Sequence, residues 1–272
     1  MPYDPLLYAG SAPHYVRGRP PYSRELAPAL QAELGLDGSG RLLDVGCGPG
    51  PLALALAPLF AETIAVDPDP DMLRLAERLT RAAGREVRFV RALAEELPAL
   101  SLGRFRAVSF GQSFHRTERE RVAEWVYDAL EPGGALVLVA HIAPGRPVPE
   151  SPGPPPIPHD ALVAIAERYL GSRRRAGSGF QAPPTDRWED ALARTRFGAP
   201  RTLFLPGRAD VIRDTDEVLS GYLSLSWCAP HLFGDRLDAF AAEVRAELSS
   251  RSPAGMFWDW PGDTEVLLAS RR

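Results

Sequence analysis

The chain has 272 residues, 45% of them hydrophobic and 24% charged, with a net charge of −4 in which all 31 basic residues are arginine. That composition can bury a full core, as one large domain or as one domain with a sizeable insertion, and it excludes an intrinsically disordered chain. With no basic tail or stripe, no apolar run of 18 residues and only Cys47 and Cys228 as cysteines, the sequence also speaks against a nucleic-acid surface, a membrane helix and a disulfide framework.

The start, M-P-Y-D-P-L-L-Y, lacks a basic n-region and a long apolar run, which predicts a soluble, unexported, cytoplasmic protein. Residues 1–22 are rich in tyrosine, proline and arginine, and Ser23 is expected to open a helix toward Leu34. Pro28 conflicts with that helix unless it begins a few residues later. Leu42, Leu43 and Val45 then read as a short buried strand, followed by Gly46, Gly48 and Gly50 and by an Ala/Leu-rich helix from Pro51. Strand, glycine turn and helix N-terminus together make a ligand cradle: glycine permits positive φ and leaves the main chain uncovered, while the first-turn N–H groups point at whatever binds. A dinucleotide fingerprint G-x-G-x-x-G would need a glycine where Pro51 stands, so the spacing is G-x-G-x-G instead.

A second apolar strand, T-I-A-V, ends in Asp67, 21 residues beyond Gly46. A carboxylate there can accept hydrogen bonds from both hydroxyls of a ribose bound across the glycine turn. Asp69 and Asp71, flanking Pro70, are expected to cap the next helix and offset its dipole. The third strand is Val87 to Val90, followed by R-A-L-A-E-E-L-P, in which Glu95 is expected to be exposed. The fourth, Ala107 to Phe110, runs into G-Q-S-F-H-R, after which Thr117 and Glu120 form a capping box for a helix reaching Leu130. The turn E-P-G-G leads to a fifth strand, Ala135 to Ala140. This alternation over 41–140 predicts βαβ units and a parallel sheet.

Past His141 the alternation stops. Eight prolines between 144 and 158 predict an extended connector crossing the top of the sheet. An amphipathic helix around Asp160 to Leu170, an arginine patch at 173–175, a segment carrying Phe180, Trp188, Phe197 and Phe204, and helices over Thr215–Ser226 and Asp235–Ser250 follow. The final M-F-W-D-W-P-G-D-T-E-V-L-L-A-S reads as a hairpin about its P-G-D turn. The five histidines, at 14, 115, 141, 159 and 231, show no paired ligand spacing, so no metal is expected.

The stretch L-D-V-G-C-G-P-G from Leu43 to Gly50, with Asp67 ending the second strand and E-P-G-G before the fifth, resembles the class I S-adenosylmethionine-dependent methyltransferases. The resemblance is strong over 41–140, looser at both ends and weak over 141–210. It implies an α/β, doubly wound, Rossmann-like seven-stranded sheet whose last strand inserts antiparallel beside the fifth. An N-terminal lid and helix would occupy 1–36, the cofactor-binding core 37–140, an inserted cap and helices over the substrate site 141–250, and a hairpin completing the sheet 251–272. The implied cofactor is S-adenosylmethionine, with Asp44, Gly46, Cys47, Gly48 and Gly50 around its methionine part, Asp67 on its ribose, and Gly111 at the end of the fourth strand. Met72 would lie on the adenine face, its plainer role being core. Leu93 stands where members often carry an aspartate, so adenine would be read by backbone groups at Leu93 and Ala94.

The run A-P-H-Y-V-R-G-R-P-P-Y is similar to the lead-in of the trans-aconitate-type branch, in which this segment folds over the cofactor. That implies Tyr15 and Arg19 on the methionine carboxylate, against the plainer reading of a surface segment. G-Q-S-F-H-R is similar to a stretch that often reads F-H-W, with Arg116 here in place of tryptophan; it implies that His115 faces the transferred methyl, as general base or as pocket wall. The implied activity is methyl transfer to a small-molecule acceptor, secondary metabolites included, by a monomer or homodimer that uses neither nucleic acid nor membrane. Two other readings stay open. One is a fold relative that binds the cofactor without catalysis. The other is a different nucleotide-using enzyme such as a nicotinamide reductase, against which Pro51 and the absence of any lysine, and hence of a Tyr-x-x-x-Lys pair, both weigh.

Overall fold

The computed structural model describes residues 4–142, 149–151, 153–180 and 186–272. The chain begins with α1 (Ala12–Gly18) and α2 (Leu26–Leu34), then alternates β1 (Arg41–Val45), α3 (Pro51–Leu56), β2 (Glu62–Val66), α4 (Pro70–Ala82), β3 (Arg88–Val90), β4 (Phe105–Gly111), α5 (Arg119–Ala129) and β5 (Leu130–Ile142). Helix α6 (His159–Leu170), the small strands β6 (Arg175–Ala176) and β7 (Gly179–Phe180), and α7 (Trp188–Ala193) follow. Strands β8 (Arg201–Leu205) and β9 (Ile212–Asp214), helices α8 (Thr215–Leu223) and α9 (Leu237–Arg251), and strands β10 (Met256–Trp258) and β11 (Asp263–Ser270) complete the chain.

Seven strands form one sheet in the order β3-β2-β1-β4-β5-β11-β8, with β1 to β5 parallel and β11 antiparallel to both its neighbours. The order reverses between β1 and β4, which opens a crevice at their carboxyl ends. Strand β1 is buried on both faces, as a central parallel strand should be. Its alternation sends Leu43 and Val45 toward α5 and Leu42 toward α2 and α3. On the α3 side the parity also aims Asp44, which pairs in register with Ser109 of β4. A charged side chain in a central strand is costly, and Asp44 is the one carboxylate wholly closed from solvent among the described residues.

A second core lies outside the sheet, where α6, α8, α9 and β10 pack Leu162, Tyr222, Phe233, Phe240, Val244 and Phe257 together. Helix α1 docks on α8 where two backbones meet: a Cβ on Gly18 would overlap the Gly221 N and Cα. Arg213 locks this contact, donating to the carbonyls of Arg17 (2.6 Å) and Arg19 (2.9 Å) while paired with Asp259 at 2.6 Å.

Several expectations are corrected. Helix α2 starts at Leu26, so Pro28 falls in its first turn, where the missing N–H has no intrahelical partner to lose. The Thr117/Glu120 capping box does not form, because the Thr117 hydroxyl donates back to the Phe114 carbonyl of a preceding tight turn. Glu118 is the N-cap residue of α5, and its N–H donates to Glu95. The terminal hairpin is absent: β10 pairs with β9, and β11 with β5 and β8, and the Asp263 carboxylate accepts from the Gly207 N–H. E-P-G-G is a bulge inside β5, where the register against β4 jumps between Phe105 and Ala107. The segment holding Phe204, within the expected cap, supplies the sheet's edge strand β8. Much of the proline-rich connector, 143–148 and 152, lies outside the described residues; Pro156 bridges to Trp258 beside β10. Among the described residues no helix is long and apolar enough to cross a membrane.

Candidate functional site

The glycine turn leaves β1 at the crevice. Gly46 has φ +65°, and a side chain there would meet the Ser113 Cβ at 2.5 Å, so the position requires glycine on two grounds. Ser113 is held against the turn by donating to the Val45 carbonyl at 2.6 Å. The side-chain direction at Gly48 is open, and its N–H donates to Asp67 Oδ2 at 2.8 Å. Asp67 Oδ1 accepts from the Asp69 N–H at 2.9 Å. The end of β2 is thereby tied to the turn after β1. Burial pushes the Asp67 carboxyl up to about 6, with the two N–H bonds opposing and the Asp69 charge adding.

Asp67 borders a cavity walled by Met72, Leu93, Ala94, Glu95, Tyr15 and Gly111. Met72 is both core and wall, at 3% exposure. Asp69 accepts from the Asp71 and Met72 N–H groups, the expected cap of α4, and also lines the cavity. Leu93 donates its N–H to Glu96 at 2.7 Å, which leaves Ala94 to offer backbone contacts. Glu95, expected to be exposed, is half-buried in the wall.

A second cavity adjoins the first across Tyr15, Gly46, Gly111 and His115, and is lined further by Asp44, Cys47 and Arg19. Asp44 Oδ1 accepts from the Ser109 hydroxyl at 2.8 Å, its Oδ2 is buried without a partner, and burial pushes the carboxyl up to about 7. Arg19 stacks over the Tyr15 ring at 4.9 Å and donates to the Ser224 carbonyl at 3.0 Å, while its Nε is buried without a partner. An unpaired buried acceptor and an unpaired buried donor each cost about 1 to 3 kcal/mol. Here they border one cavity and complement the ammonium and carboxylate of an amino acid. The Cys47 thiol is held well above its ordinary range by burial and is no nucleophile. Gly50 lines neither cavity and serves as the N-cap of α3.

His115, on the tight turn Phe114–Arg116, opens its ring to both cavities and lies nearly parallel to Trp188 at 6.4 Å. Partial desolvation by its neighbours, helped by the Arg116 and Arg119 cations, lowers its imidazole even though the side chain stays exposed to solvent, so the ring is neutral near pH 7.

The family model described as "Methyltransferase domain" matches residues 42–134, the span from β1 to the bulge in β5. Residues 42–134 are a class I S-adenosylmethionine-dependent methyltransferase domain. Demethylmenaquinone methyltransferase of Thermus thermophilus is 40% identical over 110 residues, which cover 39% of this chain and 49% of that protein. The "Probable S-adenosylmethionine-dependent methyltransferase CRG1" of Saccharomyces cerevisiae is 30% identical over 134 residues, covering 48% of this chain and 45% of that protein. The chain thus spans about half the length of the curated relatives it matches. The crystal structure of YcgJ from Bacillus subtilis aligns over 90% of this chain and 97% of its own, with a TM-score of 0.51 and 18% identity, a likeness of fold.

The cofactor of this methyltransferase class is S-adenosylmethionine, and the donor set fits it. Asp67 offers a carboxylate beside the turn, Met72 an apolar wall, and Asp44 and Arg19 a matched pair of unpaired groups. Of the residues expected around it, all but Gly50 line the two cavities. Sequence reasoning missed Gln112, which takes φ +53° at the carboxyl end of β4 and lines both; a left-handed glutamine has no signature in sequence. It also gave no site role to Tyr8 or Arg116, which line both cavities, or to His141, stacked on Tyr22 at 4.8 Å. Tyr22 closes the same Y-x-x-x-R-P-x-Y run that pointed to Tyr15, and that run was the available signal. Burial pushes the His141 imidazole down to about 4 against a hydrogen bond to the Pro20 carbonyl. Its Nδ1 is buried without a partner.

Proposed function

We propose that the protein transfers a methyl group to a small-molecule acceptor that enters the second cavity. S-adenosylmethionine supplies an electrophilic methyl on a sulfonium; the sulfur–carbon bond breaks, leaving its electron pair on sulfur, as the acceptor–carbon bond forms. The observation that carries the reading is the Asp67 carboxylate bonded to Gly48 at the switch point, in a cavity continuous with the unpaired Asp44 and Arg19 groups.

In this reading Asp67 accepts the ribose hydroxyls, Met72 and the Ala94 backbone hold the adenine, and Tyr15, Arg19 and Asp44 hold the amino-acid end. The chain's remaining tasks are to orient the acceptor and exclude water. Residues 4–22 serve the second task, since Asp4, Leu7, Tyr8 and Tyr15 wall the first cavity. His115 is the imidazole facing both cavities, neutral near pH 7 and with a free lone pair, and it takes the acceptor's proton where there is one. A base held near 4 is weak, so His115 contributes modestly and more by position than by basicity.

The test has two parts. Calorimetry with S-adenosylmethionine on wild type and Asp67→Ala should give an affinity loss of about tenfold to a hundredfold. A mass-spectrometric panel of hydroxyl, amine and carbon acceptors should then show a mass gain of one methylene with stoichiometric adenosylhomocysteine. Tight cofactor binding with no acceptor turned over would favour a binding protein without catalysis.

A further inference from the structure

The two adjoining cavities carry opposite charge. The first is lined by Asp4, Asp67, Asp69 and Glu95 against one arginine, Arg116, which suits a cofactor with a sulfonium. The second is lined by Arg19, Arg116 and Arg174 against Asp44 alone. Arg19 and Asp44 are already matched to the amino-acid end of the cofactor, which leaves Arg116 and Arg174 in excess.

Neither of these two arginines has a carboxylate partner among the described residues. Arg116 spends one nitrogen on the Ser226 hydroxyl at 3.1 Å, and its Nε is buried without a partner. The Arg174 guanidinium carbon sits over the Trp227 ring at 4.6 Å from its centroid, which holds the group without neutralising it. Leu225 and Trp227 add apolar wall beside them. Two guanidiniums without a carboxylate partner, Arg116 half-buried and Arg174 exposed at the cavity's edge, line one cavity beside an apolar surface and favour an anion, and an arginine fork binds carboxylate and phosphate oxygens in bidentate fashion.

We infer that the methyl acceptor is an amphiphilic anion: an apolar or aromatic body bearing a carboxylate or phosphate that Arg116 and Arg174 hold, with Leu225 and Trp227 against the body. The inference rests on the methyltransferase reading above, because only with the cofactor on Arg19 and Asp44 does the acceptor's anion fall to Arg116 and Arg174. Neutral analogues lack the group that discharges the two arginines and bind weakly.

The experiment is calorimetry on the full chain saturated with adenosylhomocysteine, using two matched probe pairs: 4-hydroxycinnamate against its methyl ester, and phenyl phosphate against phenol. In at least one pair the anion should bind about tenfold or more tightly than its neutral partner, the pair showing it distinguishing carboxylate from phosphate. That preference should weaken with added salt and fall to about threefold or less in Arg116→Gln and Arg174→Gln. Arg174 lines only the second cavity, so Arg174→Gln should keep adenosylhomocysteine affinity within about twofold of wild type, which also reports its folding. Equal affinity within both pairs, no binding by either anion, or a preference that survives both substitutions overturns the inference while leaving the cofactor reading intact. Failure of the wild type to bind adenosylhomocysteine overturns both.

Discussion

Replacing Asp67 by Asn separates the two demands on this carboxylate. The ionised group is 9% exposed and raised from 3.8 to about 6, so its charge costs the unliganded fold at most about 3 kcal/mol at neutral pH. Asparagine removes that cost but offers one acceptor oxygen where Asp67 uses two, leaving the Gly48 or Asp69 N–H unpaired at about 1 to 3 kcal/mol. These terms offset, so thermal unfolding of the unliganded variant should stay close to wild type, while cofactor affinity falls by about tenfold to a hundredfold. The pH dependence gives a second reading. Asp67 and Asp44 take up protons in the unliganded protein at about 6 and about 7, and the cofactor's hydroxyls and ammonium favour the ionised forms. Binding therefore releases protons: affinity is greatest above pH 7 and falls as pH drops through 7 and 6, by up to about tenfold per unit for each group. Asp67→Asn should lose the part of that slope centred near 6. Calorimetry from pH 5 to 8 checks both points, and a folded Asp67→Asn protein with wild-type affinity and slope would refute the reasoning.

His115→Ala should leave cofactor affinity nearly intact and slow single turnover by about tenfold, less than a base tuned to neutrality would give, with the deficit shrinking at high pH where the acceptor ionises unaided; rates within about threefold of wild type across pH leave His115 a wall. Gly18→Ala forces apart the backbones of α1 and α8, and should cost roughly 1 to 3 kcal/mol and weaken cofactor binding by moving Tyr15 and Arg19, as thermal shift and calorimetry would report. Arg213→Ala strands the buried Asp259 and frees two carbonyls of the N-terminal segment, a loss of about 3 to 5 kcal/mol in denaturant unfolding. Hydrogen exchange should slow at the amides of 12–19 when adenosylhomocysteine binds, and an unchanged rate would argue that this segment does not close on the ligand.

The glycine turn and the acid that faces it were legible in the sequence because their signals are local. A glycine turn after an apolar strand, and an acid ending the next strand, are backbone and charge requirements that hold wherever the rest of the chain goes; the parallel sheet brings the two together as Gly48 and Asp67. Tyr15 and Arg19 were legible as a pattern, but their position over the turn depends on the backbone contact of Gly18 with Gly221 and on the Arg213 clamp, more than 190 residues away in sequence. The hairpin failed for a related reason. A P-G-D turn permits a hairpin, yet β9 and the buried Arg213–Asp259 pair compete for β10, and pairing between distant strands leaves no trace in either one's own sequence. His115 shows the same division. Its place after β4 followed from the local pattern, whereas the lowering of its basicity comes from neighbours that partly desolvate it and from the charges of Arg116 and Arg119. Local conformation and charge belong to the sequence read along its length; which groups are desolvated, and which unpaired arginines share a cavity with them, is decided only when distant segments exclude water together.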